Sequence, residues 1–295
     1  MKVIDVSSLM HFGFDDFKLE NFNLSVEKGE IYALLGAGDS GKSLVFKLLS
    51  GLERVNFGKC QVLGLDTYKN RLEIFKKASF VPEISIYDPR LRAFEYLNML
   101  HELRGLKNYF DDVKLIEKFG IDVKKPLSTL DFEQKKLISL CLSLSLKLEL
   151  CVFDNPFSYI SDENIEKLKS LMLDYASNGG SIFMTADKIK PLKGLASRFG
   201  RLKDGRIISE MGKLQFEKKR NRVYELLFSS SDEALEFSEH WEGEKELFDE
   251  RVLVLVGDTP MPLIKLLSSF NVQDIDVLDE KETEDFLREK GDEFV

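Results

Sequence analysis

Apolar and polar residues alternate over several short stretches of the first 83 positions. A period of two is typical of strands with one buried face, and a short apolar run is typical of a buried strand. The predicted strands are KVIDV (2–6), FKLENFNLSV (17–26), IYALL (31–35), GKCQVLGL (58–65, with a turn) and ASFVPE (78–83, closing on Pro82). Between them, the spacing predicts short helices at Leu44–Leu49 and Arg71–Lys77.

The pattern changes to helical spacing between residues 84 and 126, where no strand is predicted. LRAFEYLNMLHELRG (91–105) and FDDVKLIEKFGI (110–121) carry this period. A further helix is expected within 128–146, capped by Ser128, Thr129 or Asp131. We therefore predict an inserted helical lobe at about 84–146.

The strand pattern returns after this lobe. LELCVFDN (148–155) and SIFMTAD (181–187) predict buried strands, and RFGRLKDGRIISEMG (198–212) predicts a hairpin about Asp204-Gly205. Strands and helices then alternate from 223 to 295, as in a small α+β domain. The polar stretch FEKKRNR (216–222) suits a linker, so we predict domains at 1–215 and 223–295.

The sequence GAGDSGKS, Gly36 to Ser43, lies between a predicted strand and a predicted helix. A phosphate-binding loop requires this context, because backbone N–H groups and a helix N-terminus face the phosphates. Lys42 is predicted to reach the β- and γ-phosphates, and the Ser43 hydroxyl to bind Mg²⁺. The predicted nucleotide-binding residues of this segment are Gly36, Gly38, Asp39, Ser40, Gly41, Lys42, Ser43 and Leu44.

The net charge, the cysteines and the lengths of the apolar runs limit the functions that this chain is expected to have. The formal net charge of −9 argues against a nucleic-acid partner, which needs a basic surface. The three cysteines fit neither a disulfide framework nor a metal-ligand spacing, so they are expected to be core thiols in a reducing cytosol. No signal peptide or run of about 20 apolar residues is present, so membrane association would come through a partner.

The order of these parts resembles the nucleotide-binding domain of ABC transporters over roughly residues 1–215. GAGDSGKS and CVFDNP carry the resemblance, and Asp154 stands at the family's Walker B aspartate, a Mg²⁺ ligand. The resemblance implies a P-loop NTPase α/β fold, ATP and Mg²⁺ as ligands, a transmembrane permease partner, and a homo- or heterodimer of nucleotide-binding subunits. It also implies that Phe12 stacks on adenine.

Several positions depart from the family pattern. The glutamate that polarises the attacking water is replaced by Asn155, which cannot take a proton, and the switch histidine by Ala186. The glutamine that helps to bind Mg²⁺ becomes Glu83, which remains a possible metal ligand. The D-loop aspartate aligns with Ser161, although a slip of one residue would restore it at Asp162.

The family signature LSGGQ is replaced by LDFEQ, Leu130 to Gln134. Asp131 and Glu133 place carboxylates where the family's helix N-terminus meets a γ-phosphate, and Phe132 adds bulk where glycine allows close approach. Asp131 is also a good helix cap, so we expect the helix to form and its phosphate contact to be lost. In ABC dimers each ATP lies between one loop and the other subunit's signature, so these changes would damage both sites.

Three functions remain open. The first is an ATP-binding transporter subunit with impaired hydrolysis, located in the cytoplasm and held at the membrane by a permease. The second is a working ATPase that uses Glu83 or Asp162 as its base. The third is a soluble interaction protein that keeps the fold but binds no nucleotide. The tail, which ends in a helix containing Glu284, Asp285 and Phe286, resembles the one appended to ABC-2-type exporter ATPases.

Overall fold

The structure, a computed structural model, describes residues 1–12, 18–85, 87–105, 110–212, 222–257 and 260–278. It divides into two compact units, Met1–Lys213 and Leu214–Val295. The predicted linker lies outside the described residues except for Arg222, which begins a strand. The predicted helix containing Glu284, Asp285 and Phe286 also lies outside them.

The first unit contains ten strands and six helices within its described residues. The strands are β1 Lys2–Phe12, β2 Lys18–Glu27, β3 Ile31–Leu35, β4 Phe57–Val62, β5 Leu65–Asp66, β6 Ala78–Val81, β7 Leu150–Phe153, β8 Ser181–Ala186, β9 Arg198–Lys203 and β10 Arg206–Gly212. The helices are α1 Lys42–Leu49, α2 Arg71–Lys77, α3 Ala93–Leu103, α4 Phe110–Glu117, α5 Phe132–Ser145 and α6 Asp162–Ser177.

Two sheets organise this unit. One is antiparallel, in the order β2-β1-β4-β5, and the other has the order β10-β9-β3-β8-β7-β6. Strands β9, β3, β8, β7 and β6 are parallel, and every residue of β7 and β8 is buried. Parallel strands covered on both faces are apolar throughout, which explains the uninterrupted runs in the sequence. Their carboxyl ends form one edge, the usual ligand-binding edge of such sheets.

Several element boundaries differ from those predicted. Strand β1 extends beyond residue 6 to Phe12, because it pairs with both β2 and β4. The predicted strand 78–83 ends at Val81, before Pro82, which has no N–H to donate. Helix α6 was not predicted at all, and it buries Leu168, Met172 and Tyr175 along one side.

Helix α5 begins with a capping box at Asp131. The Gln134 N–H donates to Asp131 Oδ1 at 2.8 Å, and the Asp131 N–H donates to Gln134 Oε1 at 3.2 Å. Of the three candidate caps, Asp131 therefore fills this role. Ser128 and Thr129 lie in a 3₁₀ turn, Leu127–Thr129, ahead of the helix. The described residues between 84 and 126 contain helices α3 and α4 and no strand.

The second unit alternates strand and helix as predicted. Its described elements are β11 Arg222–Phe228, α7 Ser231–His240, β12 Lys245–Phe248, β13 Arg251–Val256, α8 Met261–Leu267 and β14 Val272–Val277. The sheet is antiparallel with the order β12-β13-β11-β14, the βαββαβ plan of ferredoxin-like domains. Phe228, Phe237, Val252 and Leu263 are among its core residues. Strand β12 was not predicted, since its side chains are only half-buried or exposed.

Candidate nucleotide site

The loop from Gly36 to Gly41 joins β3 to α1, and two of its glycines are required by geometry. A Cβ on Gly36 would lie 2.3 Å from Ser40 Oγ and 2.7 Å from the Leu202 carbonyl oxygen. Gly41 precedes α1 with a φ of 101°, which favours glycine. Helix α1 has no side-chain cap hydrogen bond and no acid in its first turn, so its N–H donors suit an anion.

Lys42 lies beneath this loop and is 5% exposed. Its ammonium donates to the carbonyl oxygens of Gly36 at 2.6 Å and Ala37 at 2.5 Å. It also forms an ion pair with Asp187 Oδ1 at 2.9 Å. Asp187, which follows β8, was not singled out from the sequence. A carboxylate one residue after the position of the switch histidine was the only signal.

Asp154 follows β7 and faces the start of α1. Thr185 Oγ1 donates to its Oδ1 at 2.6 Å, and the Ser43 hydroxyl also hydrogen-bonds to its carboxylate. Burial raises the pKa of Asp154, the hydrogen bonds from Thr185 and Ser43 oppose that shift, and the nearby charge of Glu83 adds to it.

These oxygen groups fit Mg²⁺. A serine hydroxyl and a carboxylate are the hard ligands that this ion prefers, and Ser43 and Asp154 are already in contact. The carboxylate of Glu83 lies close enough to raise the pKa of Asp154. Within the described ranges, no group of three or more His, Cys, Asp or Glu side chains is placed to hold a metal ion. A Mg²⁺ ion here would therefore take its remaining ligands from water and from substrate phosphates.

Asn155 lies at the centre of a hydrogen-bond cluster and has a left-handed φ of 46°. Its side-chain Nδ2 donates to Glu83 Oε1 at 2.9 Å and to Asp187 Oδ2 at 2.6 Å. Its backbone N–H donates to Thr185 Oγ1 at 2.8 Å. Parallel strands β6, β7 and β8 are neighbours, so the residues that follow them meet at one edge. The amide thus connects two carboxylates there.

Lys136 on α5 forms hydrogen bonds to the segment that contains Asn155. It is 3% exposed and donates to the Asn155 carbonyl oxygen at 2.7 Å and to Ser158 Oγ at 2.5 Å. Burial lowers the pKa of Lys136 to about 8, although the carboxylates of Glu83 and Asp154 partly oppose the shift. This lysine was missed because its position within a helix gives no indication that it meets β7.

The remaining predicted residues lie within the loop or at the ends of other strands and helices. Ala186 ends β8, is buried, and uses its carbonyl oxygen to accept the Gly36 N–H at 3.2 Å. Phe12 ends β1 with 54% of its surface exposed, and its N–H donates to Asn56 Oδ1 at 2.9 Å.

Asp39 and Ser43 are exposed, and Ser40 is buried. Gly38 has open space around it, and Leu44 packs against the core. Asp162 is exposed in the first turn of α6.

The two acidic side chains of the LDFEQ segment accept hydrogen bonds at the starts of helices α5 and α6. Asp131 caps α5, while Glu133 Oε1 accepts from the Ser161 N–H at 3.0 Å, Ser161 Oγ at 2.7 Å and Asn164 Nδ2 at 2.7 Å. Burial raises the pKa of Glu133, but the Asn164 and Ser161 hydrogen bonds outweigh it, so the pKa lies below its usual value. Phe132 makes an edge-to-face contact with Tyr159, with ring centroids 4.9 Å apart.

A family model described as ABC transporter matches residues 19–158, which include the phosphate loop, the LDFEQ segment and Asp154. Together with the relatives below, this match supports an ABC transporter nucleotide-binding subunit. The bacitracin transport ATP-binding protein BcrA of Bacillus licheniformis is 26% identical over 218 residues, covering 73% of this chain and 71% of BcrA. The lantibiotic transport ATP-binding protein SrtF of Streptococcus pyogenes is 25% identical over 194 residues, covering 65% of this chain and 83% of SrtF.

Solved structures of the ABC family share the fold of this chain. An ATP-binding subunit of an ABC transporter superimposes with a TM-score of 0.67 at 20% identity, covering 73% of this chain and 93% of that one. An ATP-binding cassette in its ADP conformation superimposes with a TM-score of 0.64 at 16% identity, covering 74% of this chain and 94% of that one. The predicted family and the predicted fold class are thus confirmed.

Proposed function

We propose that this ABC subunit binds Mg-ATP but hydrolyses it slowly. The phosphate loop, Lys42, Ser43 and Asp154 support binding, because they bring together the uncapped helix terminus, the ammonium and the metal-ligating oxygens that a Mg-triphosphate needs. The relatives named as ATP-binding transport proteins support the same ligand. Phe12 would provide an aromatic face for the adenine ring.

Slow hydrolysis is supported by the surroundings of Asn155. A general base accepts a proton from water, and an amide cannot do so. The Nδ2 group of Asn155 is already engaged with Glu83 and Asp187. Ala186 adds no polar side-chain atom. Loss of a general base costs about 10² to 10⁴ in rate, which is the deficit that we expect.

The proposed setting is a transporter in which two nucleotide-binding subunits dock on a transmembrane permease. No helix in the described part of the chain is long and apolar enough to cross a membrane. By its resemblance to ABC transporter subunits, we place the subunit in the cytoplasm, peripheral to the membrane and held there by the permease. The partner subunit would meet Asp131 and Glu133 instead of a glycine-rich signature.

Two measurements on the full chain test this function. Isothermal calorimetry with Mg-ATP should show binding that Lys42→Ala abolishes, while Ser43→Ala should weaken binding only when Mg²⁺ is present. Steady-state ATPase assays should give turnover about 10² to 10⁴ below the family's ordinary rates. A wild-type protein that binds no nucleotide would refute the proposal, as would ordinary turnover that is lost on Lys42→Ala.

A second candidate is a working ATPase whose base is Glu83. The hydrogen bond between Glu83 Oε1 and Asn155 Nδ2 favours it, because a carboxylate then stands beside the position of the missing base. The other suggested base, Asp162, is exposed in the first turn of α6. Under this alternative Glu83→Gln would lower turnover at least 10²-fold, and Asp162→Asn is the matched comparison.

A further inference from the structure

The phosphate-binding lysine has a carboxylate partner inside its own subunit. Asp187 Oδ1 lies 2.9 Å from Lys42 Nζ, and Asp187 Oδ2 lies 2.6 Å from Asn155 Nδ2. We infer that Asp187 is a built-in competitor for nucleotide phosphate, held against Lys42 by the Asn155 amide. This inference rests on the proposed function, and it concerns what sets the affinity of that site.

The donors of Lys42 make the competition unavoidable. An ammonium has three N–H donors, and those of Lys42 are shared among the carbonyl oxygens of Gly36 and Ala37, the Asp187 carboxylate and, at a longer 3.4 Å, Ser40 Oγ. The lysine is 5% exposed, so water cannot supply an alternative partner at low cost. A phosphate oxygen can bind the ammonium only by replacing one of these acceptors. Of the two side-chain acceptors, Ser40 is buried whereas Asp187 is 45% exposed, so Asp187 is the one that can move away.

The residue at position 155 provides the anchor. The Asn155 Nδ2 group has two hydrogens and uses them on the carboxylates of Glu83 and Asp187. A glutamate at this position would offer no donor and would add a third negative charge to the cluster. Asn155 therefore does more than remove a base, because it also allows Asp187 to lie against Lys42.

Other charges also face Asp187 and Lys42. Lys136 approaches from α5, and its positive charge interacts with Asp187, Asp154 and Glu83. Asp154, at the end of β7, and Glu83, after β6, contribute negative charge. Among these groups, only Asp187 contacts both Lys42 and Asn155. Removing its carboxylate should therefore change ATP binding more than removing another nearby negative charge does.

The first test measures nucleotide binding by the full chain in EDTA, so that metal ligands do not contribute. Asp187→Asn should bind ATP about fivefold more tightly than wild type, the upper end for an ion pair with one exposed partner, while binding of adenosine stays unchanged. Asp187→Ala is the second variant. Asp174→Asn, an exposed carboxylate on α6, is the matched control for the change in net charge.

The anchor makes a second prediction. Asn155→Ala should also tighten ATP binding, because it releases Asp187 from Lys42 without adding a charge. In the double variant Asn155→Ala/Asp187→Asn the two gains should not add, since both remove the same contact. Glu83→Gln should tighten binding less than Asp187→Asn does. Equal effects of these two variants would overturn the inference, because they would indicate a general field.

A readout without nucleotide separates this inference from the proposed function. In ¹⁵N-detected NMR of the lysine ammonium groups, with Lys42 assigned through Lys42→Arg, the Lys42 signal of the free protein should shift in Asp187→Asn and not in Asp174→Asn. An unchanged Lys42 signal would refute the pairing whatever the protein binds. Absence of ATP binding by every variant, with the expected signal shift, would refute the proposed function and leave the ion pair established.

Discussion

Two glycines in the same loop meet different surroundings, and the difference illustrates how single residues shape this site. Gly36 is enclosed by Ser40 and the Leu202 carbonyl group, whereas nothing lies within 4 Å of a Cβ built on Gly38. Both glycines belong to the same sequence motif, so the motif alone does not indicate which of them the fold requires. The tertiary contact with the β9–β10 hairpin makes the first one essential.

We predict that Gly36→Ala destabilises the protein and Gly38→Ala does not. The methyl group at position 36 must displace Ser40 or the backbone at Leu202, which costs about 1–3 kcal/mol as overpacking usually does. Urea unfolding followed by circular dichroism measures the difference. Equal unfolding free energies for the two variants would contradict the enclosed position of Gly36.

Lys136 predicts a pH dependence of stability. Its folded pKa of about 8 lies below the ordinary 10.5, so the unfolded chain binds more protons between these values. The charged Lys136 therefore lowers the unfolding free energy by its full amount below pH 8, and this loss is recovered as the pH rises toward 10.5. Relative to Lys136→Met, the unfolding free energy of wild type should increase across this window, by about 1.4 kcal/mol for each pKa unit of the shift. Chemical unfolding at pH 7.5, 9 and 10.5 tests this, and a flat or falling difference would contradict it.

At the scale of elements, the segment before α5 joins two helices. Asp131 caps α5, and Glu133, two residues later, accepts three hydrogen bonds at the start of α6. The sequence indicated the first role, because cap preferences are local. The second role depends on α6, which no pattern predicted and which lies about 30 residues further along the chain.

We predict that Glu133→Ala opens the first turn of α6. Loss of hydrogen bonds to the residues that begin a helix costs about 1 kcal/mol, so hydrogen exchange near Ile165 should accelerate roughly fivefold. Because the pKa of Glu133 is lowered in the fold, its contribution is present above its ordinary value of 4.5 and is lost as pH falls below it. Asp131→Ala is the matched control, and it should accelerate exchange in the first turn of α5 instead.

At the scale of the whole molecule, the chain forms two units with separate cores. The first is built on β-sheets around Tyr32, Phe153 and Phe183, and the second on Phe228, Phe237 and Trp241. Trp241 is the protein's single tryptophan, and it is 9% exposed. Its fluorescence should therefore report the second unit alone.

We predict that nucleotide separates two unfolding transitions. ATP bound to the phosphate loop at about 100 times its dissociation constant stabilises the first unit by about 2.7 kcal/mol. Thermal unfolding followed by circular dichroism should then shift upward, while the Trp241 fluorescence transition stays in place. In the Lys42→Ala variant, ATP should leave the circular dichroism transition in place as well. Coincident movement of both signals would mean that the two units unfold together.

Sequence by itself determined the buried strands, the helical lobe, the phosphate loop, the candidates for the capping residue and the resemblance to a family. These features depend on local periodicity, turn chemistry and contiguous motifs, which are encoded in neighbouring residues. Only the tertiary structure decided that Asp187, Asn155 and Glu83 share one cluster, that Lys136 supports it, and that Glu133 is hydrogen-bonded to the start of another helix. Those contacts join residues 19 to 72 positions apart, and their geometry depends on which strand ends become neighbours when the sheet forms.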